Sequence, residues 1–308
     1  MNNLSVGYNL AKISQMSIKL FSLIILLSWL KISQEGIEIY YQPSMKRFAQ
    51  IISRQAPSAK KLLESELGFK FSQTIGIVIS QSEQEFERIQ LGAVPEWAVA
   101  TADPEHNIIY LQPLARTSIA DFAKIFRHEL AHLFIRKRLS GRVAPRWFEE
   151  GLAMIFSGEF GFERFTTLAS IGLSGKYLPF KRLDSAFPSS GAQAQIAYLE
   201  SMSFVGFIMD ELGEDGFQSL LDELALGKNF YTALYKLSGL PFDELVKKWL
   251  KELKYHYGLI FALFSSGSLW FLVSLLFILA YLKKRREALL KKKILELEDQ
   301  YYGGELWH

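Results

Sequence analysis

His128-Glu129-Leu130-Ala131-His132 is the stretch that decides how this chain is read. On an α-helix, residues four apart share a face, so His128 and His132 can grip one zinc ion. Glu129 sits about 100° round the helix, beside the metal's open position. The chain has only five histidines in 308 residues, so chance produces this pattern at a rate on the order of one percent or less. A catalytic zinc takes three protein ligands and keeps one position for water. Residues 145–153, Pro-Arg-Trp-Phe-Glu-Glu-Gly-Leu-Ala, offer the third, with Glu150 as the candidate. The separation from His132 lets one helix end, the chain turn at Ser140-Gly141, and a second helix pass alongside. Glu129 is then the general base. It takes a proton from a zinc-bound water, whose pKa falls from ~15.7 towards ~7, and hands it to the leaving amine.

Outward from this motif the pattern is α+β. Ser118 reads as the cap of a helix running to about Leu139, with Asp121 in the capping-box position and Phe122, Ile125, Phe126, Leu130 and Leu133 as its apolar stripe. A second helix follows Pro145 and carries Trp147 to Phe156, with Trp147 and Phe148 read as core. Upstream, residues 44–68 read as a helix broken at Pro57 and closed by Gly68. Ile75–Ile79 is a β-branched strand, and Ser80 to Phe86 opens a helix. Residues 97–101 and 107–111 flank the turn sequence Asp103-Pro104-Glu105-His106-Asn107 and form a hairpin. Beyond a Gly/Ser-rich stretch at 158–192 come helices over 193–212, 214–226, 229–237 and 241–256. The expected fold is a small mixed or antiparallel sheet, an active-site helix, and a helical C-terminal subdomain.

With these residues in view, His128-Glu129-Leu130-Ala131-His132 followed by Trp147-Phe148-Glu149-Glu150-Gly151-Leu152-Ala153 resembles the gluzincin zinc peptidases, and among them most closely the bacterial peptidase-MA-like domains. The resemblance covers roughly residues 70–255. It implies Zn²⁺ as cofactor, and it selects Glu150 over Glu149 as the ligand because the family's ligand directly precedes glycine. It also implies an antiparallel edge strand that pairs with substrate backbone, corresponding to Ile108–Leu111, and an oxyanion-stabilising tyrosine on a following helix, which nominates Tyr198. One departure stands out: thermolysin-like members carry an aspartate four residues beyond the ligand glutamate, and Met154 stands there.

The two ends read differently. Leu20–Leu30 is an uncharged run preceded by Lys12 and Lys19. It has the length of a secretory signal's apolar part and no clean cleavage site, so residues 1–32 are expected to be a signal peptide or a signal anchor. Residues 257–282 form a second uncharged run, long enough at ~1.5 Å per residue to cross a ~30 Å hydrocarbon core, and are expected to be a transmembrane helix. Seven basic residues between Lys283 and Lys293 then make 283–308 a cytoplasmic tail and place the 33–256 domain outside the cytoplasm. The expected location is the inner membrane, in one or two passes, with membrane lipid as a partner.

Charge and composition close off other classes. Setting aside three lysines before residue 32, and the seven basic and five acidic residues after 282, leaves 25 basic against 27 acidic residues. Nothing there calls for nucleic acid. The absence of cysteine excludes disulfides, thiolate ligands and a cysteine nucleophile. Lys124, Arg127, Arg136, Lys137 and Arg138 load the motif helix with charges too costly for an intramembrane protease. Arg127 and Arg146 read as solvated or ion-paired. The expected activity is hydrolysis of a peptide or protein substrate, with endopeptidase action favoured. The alternative is a non-catalytic peptidase-like scaffold that binds a partner.

Overall fold

The computed structural model describes residues 29–89, 99–112, 118–158, 162–184, 187–188, 191–264 and 266–302. The 20–30 apolar run lies almost wholly outside them. The first strand, β1 (Leu30–Gln34), already includes the last three residues of the segment expected to direct export.

Five short strands form one mixed sheet. β1 and β2 (Ile37–Tyr41) pair as a hairpin through Glu35-Gly36, both at positive φ, as a two-residue turn requires. β2 then runs parallel to β3 (Ile75–Ile79). In β2, Ile37, Ile39 and Tyr41 are buried while Glu38 and Tyr40 are half-buried, the period-2 pattern of a sheet facing helices on one side. β4 (Ala100–Asp103) and β5 (Ile108–Leu111) form the expected hairpin, closed by Asn107 at positive φ and by Asp103, which accepts from the Glu105 and His106 backbone N–H groups. His106, more than half exposed, pairs its Nδ1 with Asp103 at 2.8 Å.

The strand order is β1-β2-β3-β5-β4. This corrects one expectation: Ile108–Leu111 lies inside the sheet, parallel to β3, and among the described residues the edge strand of this hairpin is β4. The reason is compositional. A strand flanked on both sides is Ile-Ile-Tyr-Leu and mostly buried, whereas the edge tolerates Ala-Thr-Ala-Asp and is half-buried.

Three helices line this sheet. α1 (Lys46–Glu66) runs unbroken through Pro57, against the expected break, because the ring sits on the buried face with Ala49, Ile52 and Ala56. Gly68 ends the helix at positive φ as expected. α2 (Glu83–Ile89) follows β3, and Ser82 Oγ accepts the Glu85 N–H at its start. α3 (Ile119–Arg138) carries the HELAH motif. Ser118 Oγ accepts the Asp121 N–H at 3.1 Å, so the predicted cap is the actual one.

α4 (Arg146–Ser157) ends at Gly158 in the left-handed region. α5 (Phe162–Ser174) lies in the stretch read from sequence as Gly/Ser-rich. α6 (Gly191–Ala225) contains a non-helical Gly213, which keeps the expected division near residue 213 as a kink. α7 (Phe230–Ser238) is capped by Asn229, and α8 (Phe242–Phe264) and α9 (Ser266–Tyr302) complete the described chain.

Two compact units result. One comprises the chain to Arg164 with Tyr177–Trp249, and holds the sheet and α1 to α4. The other comprises Phe165–Lys176 and the chain from Leu250 onward. In the second unit, Gly172 lies so close to Leu253 that a Cβ there would meet its backbone carbon at 2.8 Å.

The expected C-terminal membrane span is not formed: among the described residues, no helix is long and apolar enough to cross a membrane. The uncharged run is shared between two helices. α8 spends its first turns on Asp243, Glu244, Lys247, Lys248, Lys251, Glu252 and Lys254. α9 has only Ser266–Leu282 before Lys283, roughly 25 Å of helix against a core of about 30 Å. The transmembrane element, the inner-membrane location and the lipid partner inferred from that run fall with it.

Candidate metal centre

α3 and α4 pack directly against each other, and α4 packs on α6. Why α4 sits so firmly is legible in its sequence. Trp147 and Phe148 are fully buried, and Trp147 lies within 6.0 Å, centroid to centroid, of Phe180, Phe204, Phe230 and Phe242. The indole N–H donates to Asp184, which also accepts from the Tyr231 hydroxyl. At the other end, Arg127 of α3 donates from Nε and Nη2 to the Ser157 carbonyl, using a cation to satisfy α4's C-terminus, and from Nη1 to Gln55. Gly151 lets α6 approach: a Cβ there would lie 2.6 Å from the Ser201 carbonyl oxygen.

This packing brings the motif residues together. His128 Nε2 and His132 Nε2 are 3.2 Å apart, and each lies 3.5 Å from Glu150 Oε2. Tetrahedral zinc with bonds of ~2.0–2.2 Å to nitrogen and oxygen places neighbouring ligands roughly 3.3–3.5 Å apart. The near-equilateral triangle of donors therefore fits zinc in size, and two imidazoles with one carboxylate fit it in chemistry. Among the described residues, these three form the cluster able to hold a metal ion.

Electrostatics follow the same grouping. Burial opposes ionisation of Glu150, yet the two imidazoles outweigh it and hold the carboxyl well below the usual carboxylate range. Burial likewise opposes a charge on His132, and Glu150 outweighs it, pushing the imidazole up to about 9 without metal. Burial pushes Glu129 up, against the pull of the two histidines and of a hydrogen bond from the Ala102 backbone N–H on β4. That N–H, a backbone group on the edge strand, carries no side-chain signal in the sequence.

The remaining expected residues are placed as follows. Glu149 accepts the Ala144 N–H at 2.9 Å, so it ties down the α3–α4 turn and is not a solvated carboxylate; burial raises its pKa. Tyr198, half-buried on α6, packs its ring 4.9 Å from Phe187. Phe187 in turn lies under the Arg146 guanidinium, and Arg146 Nε reaches Glu150 Oε1 at 3.4 Å. Met154 is buried, and His128 Nδ1 is buried with no hydrogen-bond partner among the described residues. Arg146, read as solvated or ion-paired, is both half-exposed and paired, and its place four residues before Glu150 is the signal that names the partner.

An H-E-x-x-H helix and a glutamate from the next helix, set beside the edge of a small mixed sheet, define the metallopeptidase-like class. The chain belongs to the Peptidase MA superfamily, whose family model matches residues 55–255. No curated protein matches it. Among solved structures, native yeast LTA4 hydrolase is similar at 13% identity, over 72% of this chain and 38% of that one, with a TM-score of 0.44. The yeast LTA4 hydrolase complex with bestatin is similar at 14% identity, over 74% and 38%, with a TM-score of 0.41. A further structure of native leukotriene A4 hydrolase from Saccharomyces cerevisiae gives 13% identity, 72% and 39% coverage, and a TM-score of 0.42. The chain thus spans under two fifths of the length of these proteins.

Proposed function

We propose that this chain is a zinc-dependent peptidase in which His128, His132 and Glu150 hold the ion and Glu129 is the general base. The supporting observation is the donor triangle of 3.2, 3.5 and 3.5 Å, closed by residues from two helices. Zinc, when bound, supplies the Lewis acidity that polarises a carbonyl and acidifies water.

The chain's own groups do the rest. Glu129, buried beside the donor triangle and steadied by the Ala102 N–H, is the carboxylate placed to act as the base. It takes the proton as water oxygen attacks the carbonyl carbon, and returns it to the nitrogen as the C–N bond breaks. β4, whose outer side has no strand partner among the described residues, offers its edge to an extended substrate backbone. Tyr198 donates its hydroxyl proton in a hydrogen bond to the developing oxyanion. The substrate class is peptide or protein, with endopeptidase action favoured.

The test is zinc content and casein cleavage by the full chain. About one zinc per chain is expected. Glu129→Gln should retain it while losing about 10²–10⁴-fold in cleavage rate, and Tyr198→Phe should slow cleavage with zinc unchanged. A zinc-free chain, or an undiminished Glu129→Gln, defeats the reading.

A further inference from the structure

The two carboxylate oxygens of Glu150 have different partners. Oε2 lies 3.5 Å from each imidazole, whereas Oε1 faces Arg146 Nε at 3.4 Å. A glutamate's last torsion is soft, so a carboxylate held on one oxygen swings freely. Holding Oε1 keeps Oε2 turned to the histidines. The histidine side lends little support, since His128 Nδ1 has no hydrogen-bond partner among the described residues and Met154 brings no polar group.

Arg146 is itself fixed at both ends. Its backbone N–H donates to the Asp184 carbonyl at 2.8 Å, and its guanidinium covers the Phe187 ring at 5.6 Å. Phe187 is braced by the Tyr198 ring. The helix start thus anchors the backbone of Arg146 and the Phe187 ring backs its guanidinium, while about half of the side chain stays exposed.

We propose that Arg146 is a positioning residue that aims Glu150 at the metal, and that Phe187 acts on the metal site through Arg146. This rests on the zinc reading above. Groups that bond the ligands of a metal, without touching it, typically change affinity by about 10–100-fold when removed.

The experiment is zinc affinity of the full chain by chelator competition, with melting of the metal-free protein alongside, for wild type, Arg146→Gln, Arg146→Lys, Phe187→Leu and the Arg146→Gln/Phe187→Leu pair. Arg146→Gln should weaken zinc by about 10–100-fold, with added guanidinium ion restoring part of the loss. Arg146→Lys should fall between it and wild type, because a point charge lacks the planar fork. Phe187→Leu should weaken zinc by a smaller factor and add nothing in the Arg146→Gln background. Wild-type affinity in Arg146→Gln overturns the proposal. So does a fully additive Phe187→Leu, or a zinc loss that merely tracks lowered melting and ignores guanidinium. If wild type itself holds no zinc, the zinc reading fails first, and that outcome is distinct from all of these.

Discussion

Gly151→Ala isolates the close approach of α4 to α6. The added Cβ would stand 2.6 Å from the Ser201 carbonyl oxygen, 2.6 Å from Val205 Cγ2 and 2.8 Å from the Ser201 carbonyl carbon. Carbon contacts settle near 3.5–4.0 Å, so α6 must retreat by roughly 1 Å. Val205 can yield by rotating, but the Ser201 backbone cannot. Overpacking of this kind costs about 1–3 kcal/mol, and a backbone obstacle belongs at the upper end. Alanine returns up to about 1 kcal/mol of helix propensity. The expected net loss is about 2 kcal/mol, or some 4–8 °C in Tm for a domain of roughly 200 residues. Urea and thermal unfolding of the metal-free chain measure it. Zinc affinity should fall as well, because Glu150 is the neighbouring residue on the strained turn. An unchanged or raised Tm would refute the close approach of α4 and α6.

Three further outcomes follow from charge. Glu200 is fully buried; among the described residues its Oε1 has no partner and its other oxygen accepts the Leu178 N–H, and burial pushes its carboxyl up to about 7. The folded state therefore binds a proton that the unfolded state releases near 4.5, and stability should decline as pH rises from about 4.5 through 7. Glu200→Gln should be more stable than wild type at pH 8, with the gain shrinking towards pH 5 in urea titrations. For the metal-free chain, His132 raised to about 9 contributes stability that is complete below 6.5 and lost as pH climbs through 9. That slope should vanish in Glu150→Gln. Zinc must displace the same proton, so its apparent affinity should rise about tenfold per pH unit between 7 and 9, read by chelator competition.

Much of the site was visible in the sequence because its spacing is set by helix geometry. Ser118, Asp121 and the apolar stripe fixed α3, and the four-residue step from His128 to His132 fixed the two imidazoles on one face. Glu150 needed the tertiary contact of α3 with α4, which the sequence only permitted. The β1–β2 hairpin was missed although Ile37, Ile39 and Tyr41 alternate with Glu38 and Tyr40, because Leu30 to Ile32 merged with the apolar run before them. The edge strand went to the wrong side of the hairpin because the family resemblance, rather than the apolar content that marks Ile108–Leu111 as interior, chose it. Pro57 looked like a break because local rules ignore burial. The C-terminal run was long as a string of letters but divides between two helices, and only the structure reveals where. Phe187 and the Ala102 N–H were out of reach for a simpler reason: their roles arise from neighbours distant in sequence, whereas the four-residue step from Arg146 to Glu150 was there to be read.

The stack beneath α4, in which Trp147 meets Phe180, Phe204, Phe230 and Phe242, is assembled entirely from side chains. Each such ring pair contributes about 0.5–1.5 kcal/mol beyond its buried area, and the Arg127 clamp adds to it without touching the donor triangle. If the proposed site takes zinc, the scaffold should therefore keep its shape whether or not the triad is filled, unlike a zinc finger that collapses when stripped. An ion in that seat is a replaceable part rather than a keystone. The supply of metal, more than the supply of folded chain, would then set how many molecules are armed at a given moment.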